Sequence, residues 1–230
     1  MSSTPDGTLD APLPQGHTAG VPTELYDSFT HSVRELADAT LRSNADAEEI
    51  ARAEAEIRAI TARLTADQIP GTHGESCSQG GLVGSWGNTV VGLRNPVALP
   101  LKFVYEPERI WAEFTPGALF EGPPGHMHGG AIAMFLDQVL GELSAHLKKP
   151  GLTANLSVDY KFPTKLNTPL RIEAWLDRVD GFKTWTKGTV STLDGTVTAE
   201  GTGLFILPRW LREKSAEEIA EARQHDATSV

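Results

Sequence analysis

The segment Glu121-Gly-Pro-Pro-Gly-His-Met-His-Gly-Gly-Ala-Ile-Ala-Met-Phe-Leu-Asp137 runs a glycine- and proline-rich loop directly into an apolar helix. The helix opens on Gly129-Gly130 and carries one carboxylate, Asp137, in an otherwise greasy run. Backbone N–H groups at a helix start have no intrahelical acceptor and can hold a negatively charged oxygen. A carboxylate inside an apolar run costs free energy unless it has a partner or a chemical role. Together the two features suggest acyl chemistry.

Outward from this segment, the helix is expected over Gly129–Leu147. Lys148-Lys149-Pro150-Gly151 then stops it, with cations in the last turn and Pro-Gly just beyond. Ala131, Ile132, Ala133, Met134, Phe135, Leu136, Val139, Leu140 and Leu143 leave it apolar nearly all round, so it is buried rather than amphipathic. Two strand patterns precede it, Leu101–Glu106 and Arg109–Thr115. Four follow: Leu152–Phe162, Leu170–Val179, Lys183–Leu193 and Thr196–Leu207, with Asp180-Gly181 and Asp194-Gly195 as hairpin turns. The simplest architecture is α+β: a curved antiparallel sheet wrapped around one long central helix.

Residues 1–98 read differently. Residues 1–20 lack periodicity and are expected to be disordered. Two helices follow, Leu25–Leu41 and Asp46–Leu64, and the turn Ser43-Asn44 makes them a helical hairpin. Ile50, Ala53, Ile57, Ile60 and Leu64 form an apolar stripe on the second. Two heptads fall short of a coiled coil, so the stripe is expected to pack against the domain. From 70 to 100 glycine and proline recur, as in a linker that partly wraps the next unit. The organisation expected is an N-terminal extension over 1–98, a domain over 99–208 and a polar tail over 209–230.

A net charge of −10 over 230 residues excludes the basic face of a nucleic-acid binder. A local basic excess over 160–187 could receive an anionic ligand, but on charge count alone ordinary solvent-facing strand residues are the favoured reading. No apolar run approaches the ~18 residues that span a bilayer. The first residues lack a basic and then apolar leader, and Cys77 is the single cysteine, which together read as cytoplasmic. His126 and His128 lack the spacing of a metal pair, so neither a metal nor a cofactor is implied.

The segments FEGPPGHMHGGAIAMFLD, TANLSVDYKFP and VDGFKTWTKG resemble the hotdog-fold acyl-CoA thioesterases, in particular the thioesterase-superfamily-member and phenylacetic-acid-pathway group. The resemblance covers about 99–208. It implies an acyl-CoA substrate, a backbone N–H at Gly129 (with Gly130 alongside) as oxyanion donor, and Asp137 as nucleophile or general base. It also implies that the Thr153 hydroxyl assists Asp137. Asp159, Arg171, Phe182, Lys183, Thr184, Trp185, Thr186 and Lys187 match ligand-contacting positions of that group. His128 is either part of the oxyanion loop or a cap on the Gly-Gly turn, and the cap is the expected role. The asparagine that orients water in some relatives is absent, since Gly122 and Pro123 stand there; Asn95 is a candidate substitute.

Helix geometry adds one constraint. Eight residues of α-helix separate Gly129 from Asp137 by about 12 Å, too far for one carbonyl to meet both. The site is therefore expected to be composite across a homodimer, or a dimer of dimers, as the resemblance also implies. A non-catalytic acyl-CoA or acyl-carrier-protein binder on the same scaffold is the alternative. A dehydratase would need a histidine beside Asp137, and His146 lies nine residues on.

Overall fold

The computed structural model describes residues 21–69, 71, 76–77, 83–84, 86–99, 101–209 and 212. The disorder expected over 1–20, and nearly all of the polar tail, lie outside the described residues. The chain divides into two units, Met1–Pro100 and Leu101–Val230.

The first unit contains α1 (Thr23–Arg42), α2 (Ala47–Thr65) and a two-residue antiparallel pair, β1 (Ser76–Cys77) with β2 (Val83–Gly84). Asp46 caps α2 by accepting from the Glu49 N–H at 2.9 Å. Both expected helices form, but they build no packed hairpin. Ser43 and Asp46 are extended, and the two helices share little packing. Within this unit, no described residue covers the stripe on α2. Residues 86–99 are held on α1: Tyr26 meets Trp86 edge-on at 5.8 Å, and the Arg94 guanidinium covers the Tyr26 ring at 4.2 Å.

The second unit is a six-stranded antiparallel sheet around α3 (Gly129–His146). The strands are β3 (Val104–Glu106), β4 (Arg109–Phe114), β5 (Leu152–Tyr160), β6 (Leu170–Asp180), β7 (Lys183–Thr192) and β8 (Val197–Ile206), in the order β3-β4-β6-β7-β8-β5. This is the architecture expected from sequence. The Asp-Gly turns also form, with Gly181 at φ +55° and Gly195 at φ +91°.

α3 sits close to the sheet because the strands beneath it are bare. Gly188 on β7 and Gly201 on β8 are register partners, and Gly203 lies two residues on. A Cβ at Gly188 would stand 2.5 Å from the Glu173 carbonyl and 3.2 Å from Leu140; one at Gly201 would press Leu136 at 3.3 Å. Into this space α3 buries Ile132, Phe135, Leu136, Val139, Leu140 and Leu143. Each fully buried side chain of this size contributes roughly 1.5–3 kcal/mol. Phe135 stacks on Phe114 at 5.4 Å and meets Phe120 at 5.3 Å. Those contacts fix the loop that feeds the helix start.

Candidate active site

The loop before α3 is closed by its own hydrogen bonds. Glu121 bridges to Met127, the Glu121 carboxylate accepts from the Gly125 N–H at 2.8 Å, and the Met127 N–H donates to the Thr164 carbonyl at 2.8 Å. Gly122 is required here, because a Cβ would lie 2.7 Å from His128 Cα. Gly125 supplies the left-handed turn at φ +75°.

His128 is the N-cap of α3. Its Nδ1 accepts from the Gly130 N–H at 2.9 Å, while its carbonyl accepts from Ala131 and Ile132. The cap reading of His128 therefore holds, and it occupies the Gly130 N–H. The Gly129 N–H has no acceptor among the described residues. It is the donor left open at the positive end of the helix dipole. The Gly129 carbonyl, in turn, accepts from the Tyr160 hydroxyl at 2.7 Å.

Two turns further along α3, Asp137 is half-buried, and its Oδ1 accepts from the Thr153 hydroxyl at 2.9 Å. The second carboxylate oxygen takes no partner among the described residues. The start and the middle of α3 thus both lean on one strand, β5, through Tyr160 and Thr153. β5 is an edge of the sheet and exposed along most of its length.

Tyr160 was not singled out in the sequence. It lies seven residues after Thr153, and an odd separation on a regular strand sends side chains to opposite faces. A bulge between Thr153 and Asn155 absorbs one residue and returns Tyr160 to the face of Thr153.

The other expected residues are dispersed. Thr184 and Thr186 are buried against α3, with the Thr186 hydroxyl donating to the Leu140 carbonyl at 3.4 Å. Their side chains are part of the core. Lys183, Trp185 and Lys187 alternate with them on the outer face; Arg178 lies over Trp185 at 4.1 Å and Lys187 pairs with Asp177 at 2.7 Å. Phe182 is exposed at the hairpin, beneath Arg212 at 4.4 Å. Asp159 and Lys187 line a shallow outer-face pocket with Ser157, Trp175 and Glu200. Arg171 stands apart. It pairs with Glu113 at 2.6 Å, lies over Trp111 at 4.3 Å, and faces Ser191, four residues or about 13 Å along β7 from Lys187.

Asn95, the candidate substitute for the absent asparagine, belongs to the first unit. Its amide N–H donates to the Gly87 carbonyl and its oxygen accepts from the Val97 N–H, so both ends serve a turn. The His146 Nε2 lies 2.9 Å from the Glu106 carbonyl, at the far end of α3 from the loop. No group of three or more metal-ligating side chains occurs among the described residues, and no described helix is long and apolar enough to cross a membrane.

Known proteins share this design. Residues 124–202 match the model of the thioesterase superfamily. A crystal structure described as a thioesterase superfamily protein is 30% identical; the match covers 85% of this chain and all of that one, with a TM-score of 0.71. Acyl-coenzyme A thioesterase THEM4 of Xenopus laevis is 38% identical over 94 residues, which are 40% of this chain and 42% of that protein. The same enzyme of Rattus norvegicus is 36% identical over 100 residues, 43% of each chain. The chain thus spans less than half the length of these curated relatives.

Proposed function

Because the chain belongs to the thioesterase superfamily, we propose that it hydrolyses acyl-CoA thioesters at a site shared between two copies. One observation carries this reading: α3 offers an open N–H at Gly129 and a hydroxyl-supported carboxylate at Asp137, one at each end of a span of about 12 Å. No single thioester bridges that span, so each carbonyl is held by Gly129 of one copy and attacked through Asp137 of the other. The exposed edge of β5 supports the pairing. It is long, carries Leu152 and Tyr160, and has unpaired backbone groups that a second β5 would satisfy.

In the reaction, the thioester oxygen gains negative charge as the carbonyl carbon becomes tetrahedral, and the Gly129 N–H receives that charge. Removing one such donor typically lowers kcat by about 10²–10³. Asp137 acts either directly, forming a mixed anhydride that water then opens, or by taking a proton from the attacking water. On both routes water adds across the C–S bond, giving the acid and CoA thiol. Thr153 fixes the carboxylate through Oδ1 and leaves the other oxygen to react. The exposed cations Lys183 and Lys187, with Trp185 between them, are the groups proposed for the CoA end.

Thiol release from a panel of acyl-CoAs tests the activity. Asp137→Ala is expected to lower kcat about 10²–10⁴-fold with an unchanged melting temperature. Acyl-CoA binding without turnover by the wild type would favour the binding-protein alternative, and an Asp137→Ala variant that kept most of its kcat would refute the site.

A further inference from the structure

α2 presents an apolar seam that no described residue of its own unit covers. Ile50, Ala53, Ile57, Ile60 and Leu64 recur at alternating steps of three and four, the a and d positions of a heptad. The large ones are 56%, 38%, 43% and 51% exposed, and α2 buries no residue at all. A lone helix of this length is marginal in water, because helices draw most of their stability from packing an apolar face.

The charges beside the seam indicate what covers it. With Ile50 at a, Glu49, Glu56 and Arg63 occupy g and Glu54 occupies e. Glu49 is paired with Arg52, and Glu54 with Arg58 at 2.6 Å, along the helix. Glu56 and Arg63 have no ion-pair partner among the described residues. In a parallel pair, g of one helix faces e five residues on in the other, so Glu49 would meet Glu54, two like charges. In an antiparallel pair g faces g. Setting Ile57 against Ile60 and Ala53 against Leu64 then places Glu56 opposite Arg63, twice by symmetry. The two unpaired charges become mutual partners, and Glu49 passes beyond the end of the facing helix.

We propose that α2 pairs antiparallel with the α2 of a second copy of this chain, Ile57 against Ile60 and Glu56 against Arg63. The contact is isologous, each helix offering the same surface to the other. It is separate from the β5 edge and independent of thioester chemistry. The seam is short, so its pairing gains from any second contact between the same two copies, which raises the effective concentration.

Cross-linking the full-length chain in a Cys77→Ser background tests this. Chains carrying Glu56→Cys are mixed with chains carrying Arg63→Cys and treated with a short bismaleimide. The expected result is an interchain 56–63 adduct whose yield falls about tenfold or more when both chains also carry Ile57→Asp and Ile60→Asp. Glu49→Cys mixed with Glu54→Cys is expected to give almost no adduct. A dominant 49–54 adduct would replace the antiparallel pairing with a parallel one. Absence of both adducts, or a 56–63 adduct indifferent to the aspartates, would show that α2 does not pair through this seam.

Discussion

α2 and α3 are nearly equal in length, 19 and 18 residues, and opposite in how they are held. α3 buries one broad apolar face against the sheet. α2 has a regular seam and four ion-pairing arginine or glutamate side chains, and no described residue of its own unit lies on the seam. The difference separates two sources of order. α3 is fixed by glycines on other strands that let it approach, whereas α2 stands on local features: its cap, its charge pairs and its composition.

Core truncation breaks the comparison most sharply. Leu140→Ala removes a fully buried side chain facing Gly188 and Gly203, and is expected to lower the unfolding free energy of the sheet unit by about 2–5 kcal/mol. Ile57→Ala removes a side chain of similar size and is expected to leave that same transition unmoved. Chemical denaturation followed by tryptophan fluorescence checks both. Equal effects would mean that α2 is part of the same cooperative core.

A smaller effect distinguishes the two helix starts. Asp46→Ala deletes the only side-chain cap of α2 and is expected to weaken it by about 1 kcal/mol, read as roughly fivefold faster hydrogen exchange in its first turn. His128→Ala deletes the cap of α3. There the Tyr160 hydroxyl on Gly129 and the His128 N–H on the Phe120 carbonyl remain, so exchange at Ile132 is expected to change far less. Matching acceleration in both helices would contradict tertiary control of α3.

How much of this was legible in the sequence follows the same division. The central helix, its Lys-Lys-Pro-Gly stop, the six strands and both Asp-Gly turns were readable, because periodicity and turn chemistry are local. The pairing of Thr153 with Asp137 came from resemblance and is present in the geometry at 2.9 Å. Tyr160 was hidden by a bulge that no residue type announces. Thr184 and Thr186 share a segment with Lys183, Trp185 and Lys187, but strand alternation sends the threonines into the core. The fate of α2 was also unreadable. Its stripe announces a need for a partner, while α1 packs little against it.

The central claim is that each α3 supplies halves of two different sites, and complementation tests it most directly. Gly129→Pro removes only the open N–H: proline suits the first position of a helix, and His128 already has the extended ψ of 132° that a following proline requires. Each of Gly129→Pro and Asp137→Ala is expected to be inactive alone. Co-refolded in equal amounts, they are expected to recover about one quarter of wild-type thioesterase activity, since half the dimers are mixed and each mixed dimer has one intact site of two. Activity no greater than the sum of the two inactive parents would contradict a shared site.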